Sequence, residues 1–296
     1  MDLNTVETVL PLAEAGPWQP GDAALGGGTW LFSEPQPGLR RLIDLAGLGW
    51  DRLEADASGL RIGAMCTLGA LAGFRPPPAW RAGGLLAQCC DALVASFKVQ
   101  NEATVGGNLC LALPAGSMAA LAVALEGTCT LRGADGRERR VPAAEFVTGP
   151  SQTVLSPGEL LREIRLPAEA LTRRTAFRRI ALSPLGRSAA LLIGTVGRIS
   201  AAPSAMPART ADSAARIRPT DSDSAFSMTV TASVKRPVHL VFPSVPGADA
   251  LQAALRRAIP DAVLHDDVHG DPAWRRHMTE LLAEEIRLEL GGPACG

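Results

Sequence analysis

Six cysteines occur in the sequence, but no two form a Cys-x-x-Cys pair. Iron–sulfur clusters need four thiolates, usually with two or three closely spaced. Cys66, Cys89, Cys90, Cys110, Cys129 and Cys295 are therefore read as small buried hydrophobes in a reducing compartment. No apolar run approaches the roughly 18 residues needed to span a bilayer. Met1-Asp2-Leu3-Asn4 has no basic region ahead of an apolar stretch, so no secretory signal is expected and the cytoplasm is the default location. Basic excess is also missing: 29 Lys and Arg stand against 30 Asp and Glu, a formal net charge of -1. A nucleic-acid partner would call for a basic face, and none is expected. Histidine is confined to the end of the chain, with all four after residue 238. No Ser-His-Asp or Cys-His set has a recognisable spacing, so no catalytic side chain is nominated.

What remains is 296 residues, enough for about two domains of about 150 residues. The first 170 alternate short apolar strands with helical patterns. Leu60–Ala64 reads as a strand, with Thr67 placed to cap a following helix. Gly83–Ser96 reads as a helix with Leu85, Leu86, Cys89, Leu93 and Val94 on one side. Met118–Leu125 reads as a buried helix and Thr128–Arg132 as a strand running into an Asp135-Gly136 turn. Glu159–Leu166 is a further strand closed by Pro167. Beyond it, Thr175–Ala181, Ser188–Val196, Met228–Val234 and Arg236–Phe242 read as strands. Ala248–Ile259 and His277–Leu290 read as helices, the latter with Leu281, Leu282 and Ile286 as its apolar stripe. Strands followed by helices give an α+β class. Residues 199–227 are dominated by Ser, Ala, Pro, Arg, Thr and Asp without periodicity, and are expected to be a disordered surface insertion.

Two glycine-rich segments carry the chemistry. Leu25-Gly26-Gly27-Gly28-Thr29-Trp30-Leu31 follows apolar Ala23-Ala24; Thr104-Val105-Gly106-Gly107-Asn108 comes about eighty residues later. Without Cβ atoms the backbone can approach a ligand closely, and successive N–H groups can form a concave anion site. Each alone could be a tight turn. Together they suit a diphosphate, with Thr29 and Asn108 adding side-chain hydrogen bonds and no lysine required. Neither fits the Walker pattern or the Gly-x-Gly-x-x-Gly dinucleotide fingerprint.

The order of these segments resembles the FAD-binding (medium) subunits of molybdenum hydroxylases of the xanthine dehydrogenase and carbon monoxide dehydrogenase type. Gly26–Leu31 resembles that family's Ala-Gly-Gly-Thr-Asp-Leu motif. Gln100–Asn108 resembles its Arg-Asn-x-Ala-Thr-Ile-Gly-Gly-Asn motif. Ile62–Leu71 lies between them like its Ile-Gly-Ala-x-Thr-x-x-x-Leu segment, and Gly158–Pro167 matches its Gly-Glu-Leu-Leu-x-x-Ile-x-x-Pro segment. The resemblance implies a two-lobed, vanillyl-alcohol-oxidase-like FAD-binding domain over residues 1–167, its lobes split near 55. A small α+β domain with an antiparallel sheet and helices would fill 168–296. It implies FAD held by both glycine motifs, with Leu161 and Arg178 beside the flavin and Ser117 at the position of the family's Pro-x-x-Asp aspartate. Trp30 and Gln100 also depart from the pattern, replacing an acidic and a basic residue.

The same resemblance implies an oxidoreductase subunit working inside a hetero-oligomer. An iron–sulfur subunit would deliver electrons from a molybdenum-binding subunit carrying molybdopterin, and a small acceptor (NAD, quinone or oxygen) would receive them. A stand-alone flavin oxidase and a scaffold that has lost FAD are the alternatives. With no histidine ahead of residue 239, the flavin is expected to be noncovalent. His265-Asp266-Asp267-Val268-His269 could face a metal if helical, but lacks a third ligand and reads better as a solvated acidic turn.

Overall fold

Period-two burial in the strands and whole-surface burial in one short helix decide how the layers stack. The computed structural model describes residues 3–198 and 224–292. β1 (Thr8–Pro11), β2 (Asp22–Leu25) and β3 (Arg41–Asp44) form a small parallel sheet in the order β1-β3-β2. Leu42 and Ile43 on the central strand are buried. A second sheet starts at β4 (Leu53–Asp56) and β5 (Gly59–Gly63). Five helices follow: α1 (Leu68–Ala72), α2 (Gly84–Asp91), α3 (Phe97–Glu102), α4 (Val105–Leu111) and α5 (Ser117–Ala124). The chain then returns through β6 (Thr128–Arg132), β7 (Glu138–Pro142), α6 (Ala143–Phe146), the hairpin β8 (Val147–Gly149) with β9 (Gln152–Thr153), and β10 (Leu160–Pro167). The order of this antiparallel sheet, β4-β5-β10-β6-β7, puts the Gly-Glu-Leu-Leu strand at its centre.

After α7 (Ala168–Leu171), a third sheet is built from β11 (Arg174–Ile180), β12 (Ala190–Val196), β13 (Phe226–Thr231) and β14 (Val238–Phe242), antiparallel and in chain order. α8 (Ala248–Ala258) and α9 (Pro272–Gly291) complete the mixed α+β architecture. Side chains alternate across a strand. Phe226, Met228 and Val230 thus join the core beneath α8 and α9, with Ala190 and Leu192. Leu191 and Ile193 of β12 belong instead to the larger core around α5. The matching face of β13 carries Ser227, Thr229 and Thr231, all buried. Their hydroxyls are used: Ser227 with Thr195 at 2.9 Å, Thr229 with the His239 ring at 2.8 Å, and Thr231 donating to the Leu191 carbonyl at 3.3 Å. Such small, satisfied groups suit the alanine-rich α5, whose eight residues are all buried. A helix apolar all round has no solvent side to offer.

Three elements differ from the sequence-based expectation. The helix expected over Gly83–Ser96 ends at Asp91, because Val94 takes φ 52° and Ser96 caps a new helix by accepting from the Val99 N–H. A β-branched residue at positive φ has no local sequence signal. The last helix starts at Pro272 rather than His277, with Asp271 accepting from the Trp274 N–H at 3.0 Å. Its buried stripe is Met278, Leu282, Ile286 and Leu290, whereas Leu281 is exposed. Each such burial is worth about 1.5–3 kcal/mol. Of the segment 199–227 expected to be disordered, 199–223 lies outside the described residues. Phe226 and Ser227 are buried members of β13, so the strand begins two residues before the expected Met228.

Candidate functional site

The three sheets meet around one cavity of about 880 Å³, a volume ordinary for a cofactor or small-molecule site. Its wall comes from the loop after β2, the turn after β5, the α2–α3 connection, the start of α4, the approach to β10 and the end of the β11–β12 loop. Most lining groups are glycines or apolar side chains.

The two glycine segments are packed on each other. A Cβ on Gly27 would lie 1.6 Å from the Glu102 carbonyl oxygen, and one on Gly26 would lie 3.1 Å from Thr104 Oγ1. Gly106 is equally constrained, by the Ala64 carbonyl oxygen at 2.6 Å from such a Cβ. Gly27 and Gly106 are demanded by backbone contact within the protein, whereas Gly26 meets only side-chain atoms. Gly107 is different: a Cβ there meets only Thr104 Oγ1, at 2.7 Å, and otherwise enters open space at the cavity wall.

Hydrogen bonding separates the segments further. In the second, Gly106 N donates to the Ala64 carbonyl at 2.9 Å, Gly107 N to Thr104 Oγ1 at 3.0 Å, and Asn108 N to the Thr104 carbonyl at 2.9 Å. Thr104 thus caps α4, as Thr and Ser caps do. In the first segment, the N–H groups of Gly26 through Leu31 donate to no acceptor among the described residues. Six successive donors beside a cavity, with Gly28 at φ 70°, form a site that can accept an anion. Asn108 Oδ1 accepts from the Met118 N–H at 3.2 Å; its carboxamide nitrogen then remains a donor at the cavity wall.

Charge inside the cavity is sparse. Glu159 lines it, but its carboxylate accepts from Arg139 at 2.6 and 2.7 Å and from the Ser156 N–H at 3.1 Å. The Arg139 hydrogen bond chiefly holds this carboxyl below the usual glutamate range. Arg187 also lines the cavity, its guanidinium 5.5 Å from the centre of the Trp30 ring.

Of the residues nominated from sequence, Gly26, Gly27, Gly28, Thr29, Trp30, Leu31, Thr104, Gly106, Gly107, Asn108 and Leu161 are brought together here. Leu25, Val105, Ser117 and Arg178 do not line the cavity. Leu25 closes β2, and Val105 is buried in the main core. Ser117 is fully buried, its hydroxyl donating to the Cys89 carbonyl at 2.5 Å. Arg178 pairs with Glu285 at 2.9 Å and Glu289 at 2.6 Å, which turns it toward α9. Sequence reasoning missed Arg187 and Trp18, for which no motif gave a signal. It also missed Ala64, Gly158, Glu159 and Leu160, although the quoted motifs contained all four.

The remaining candidates have structural roles. Burial pushes the Cys66 thiol up to about 11 and those of Cys90 and Cys129 to about 12, so they stay neutral; Cys295 lies outside the described residues. His265 and His269 sit in a non-helical turn before α9. There Asp267 accepts from the buried Arg275, whose other donors reach the carbonyls of Gly270 (2.8 Å), Ala189 (2.7 Å) and Ala232 (2.6 Å). A buried guanidinium is tolerable only when so satisfied. No helix of the described residues is long and apolar enough to cross a membrane.

Residues 3–169 match the family model described as the FAD binding domain in molybdopterin dehydrogenase. The chain is 36% identical over 96 residues to the carbon monoxide dehydrogenase medium chain of Hydrogenophaga pseudoflava, covering 32% of this chain and 33% of that one. It is 36% identical over 88 residues to caffeine dehydrogenase subunit beta of Pseudomonas sp. (strain CBB1), covering 30% of each. The matched stretch thus spans about a third of each of these relatives. Solved structures extend the likeness in fold. Carbon monoxide dehydrogenase from Hydrogenophaga pseudoflava has a chain with TM-score 0.73 and 22% identity, covering 97% of both chains. That of Oligotropha carboxidovorans gives TM-score 0.75 and 20% identity, covering 97% of this chain and 99% of that one.

Proposed function

This chain belongs to the family of FAD-binding domains of molybdopterin dehydrogenases, and we propose that it is the flavoprotein subunit of a molybdenum hydroxylase. In that role it holds FAD noncovalently and sits between iron–sulfur clusters of another subunit and an external acceptor. The observation that carries the reading is the run of N–H groups from Gly26 to Leu31 that find no acceptor among the described residues, in a segment lining a cavity that the second glycine segment also lines.

The residues fit the cofactor. The free N–H groups of the first segment, the Thr29 hydroxyl and the Asn108 carboxamide are assigned to the diphosphate. Gly107 leaves the space that a side chain would fill. Ala64, Met65, Leu93 and Leu161 give apolar wall suited to a flavin's ring system. Bound FAD supplies the conversion between one-electron and two-electron transfer, while the protein sets its position and surroundings. Among the described residues of the cavity wall, Glu159 is the one carboxylate, and it is committed to Arg139. Substrate oxidation is accordingly assigned to a molybdenum-binding subunit, and electron delivery to an iron–sulfur subunit.

Co-expression with the iron–sulfur and molybdenum chains encoded in the same genome, followed by size exclusion and substrate-dependent dye reduction, tests this reading. It predicts a stable complex whose dye reduction disappears when Gly107→Val blocks the cavity. A monomer that alone oxidises an organic substrate with oxygen would overturn it.

A further inference from the structure

The first glycine segment offers donors but little charge, and a diphosphate brings charge with it. Arg187 is the one basic side chain of the described cavity wall. Among the described residues it makes no ion pair and no hydrogen bond; its contact is with the face of Trp30. That contact matters chemically. An ion pair would consume the charge and direct the N–H groups at a carboxylate. A cation held over a ring is attracted by the ring's charge distribution rather than through its N–H groups, which leaves those donors available. Trp30 is itself part of the segment whose N–H groups are unused, so the cation is held beside those donors. It comes from the loop between β11 and β12, whereas Trp30 belongs to the loop after β2, so two distant segments of the chain meet at this wall of the cavity.

We infer that Arg187, held over the Trp30 ring, recognises the phosphate groups of the nucleotide cofactor and supplies the charge that the glycine segments lack. The inference rests on the FAD-binding reading above and adds a specificity residue to it. Arg187 lies outside every motif that carries the family resemblance. The two residues thus act as a set: the ring of Trp30 holds the cation at the cavity wall without neutralising its charge.

The test is fluorescence titration of the full-length chain, freed of flavin, with FAD and separately with riboflavin, which has the same ring system and no phosphate. Arg187→Gln should weaken FAD binding about tenfold or more, as loss of a charge-assisted hydrogen bond does, and leave riboflavin binding unchanged. Added salt should weaken FAD binding in the wild type more than in the variant, because screening acts on the charge that was removed. Arg187→Lys should recover most of the FAD affinity by keeping the positive charge. Unchanged FAD affinity in Arg187→Gln would overturn the inference, and equal losses for FAD and riboflavin would overturn the phosphate assignment. A wild-type chain that binds neither ligand would instead sink the FAD-binding reading, and this inference with it.

Discussion

The two glycine segments look alike in sequence and do different work. The first, Gly26–Leu31, presents unused N–H groups to the cavity, while its Gly27 is pressed against the Glu102 carbonyl. The second, Thr104–Asn108, spends its N–H groups on Ala64 and Thr104 and contributes a wall with a gap at Gly107. Glycine in a binding loop can therefore mean three things: a backbone that another backbone touches, a residue that leaves room for ligand, or a turn that exposes donors. Only the surroundings separate them.

The largest effect should follow from breaking the contact between the segments. Gly27→Ala places a Cβ 1.6 Å from a backbone oxygen that no rotamer change can relieve. Overpacking of this kind costs about 3 kcal/mol, and each kcal/mol lowers the thermal midpoint of a chain this size by roughly 2–4 °C. Calorimetry should show that fall, with FAD affinity reduced as well. A midpoint within a degree of wild type would show that the segments are not packed as described.

Gly107→Ala should separate ligand from fold. Its Cβ meets only the Thr104 hydroxyl, a side-chain end that can move. The flavin-free thermal midpoint should stay within about 4 °C of wild type, as expected for losing no more than one cap of about 1 kcal/mol. FAD affinity should fall about tenfold. Equal losses of stability and affinity would place Gly107 with Gly27 and erase the distinction.

A smaller change should come from Ser117→Ala. The residue occupies a position the family resemblance ties to the flavin, yet its hydroxyl donates to the Cys89 carbonyl inside the core. The expected cost is about 1 kcal/mol of stability, with FAD affinity unchanged. A selective loss of FAD binding would return Ser117 to the site.

The smallest effect concerns the rim. Glu159 is held below the usual glutamate range, chiefly by its hydrogen bond to Arg139, helped by the Ser156 N–H and opposed by partial burial. A lowered carboxyl contributes stability above its unfolded value, near 4.3, and loses it as pH falls through the folded value. The thermal midpoint of wild type should exceed that of Glu159→Gln at pH 7, and the gap should close below about pH 4. A gap that widens on acidification would reverse the assignment of charge.

How far the sequence revealed this site depended on what kind of signal each residue left. Glycine pairs, Asn108 and Leu161 sat in motifs whose order is unusual, and they line the cavity. Ser117 and Arg178 were carried over by position alone, and position does not say where a side chain points. α5 is buried on every side, so its Ser117 turned inward to a backbone carbonyl, while Glu285 and Glu289 of α9 claimed Arg178. Arg187 left no local trace, because its partner Trp30 is more than 150 residues away along the chain. The start of α9 was hidden for a related reason. Trp274-Arg275-Arg276-His277 reads as polar surface, yet Arg275 is buried and donates to the carbonyls of Ala189, just before β12, Ala232, just after β13, and Gly270 in the preceding turn. The sheets were legible where apolar and polar residues alternate. β13 hid its first two residues, Phe226 and Ser227, at the end of a long stretch without periodicity.

The central claim is that the cavity between the two glycine segments holds FAD without a covalent bond. Titrating the purified, flavin-free chain with FAD, followed by acid precipitation, measures this directly. The account predicts saturation at one FAD per chain and release of all flavin into the supernatant. Failure to bind FAD, or flavin that stays with the precipitated protein, would contradict it.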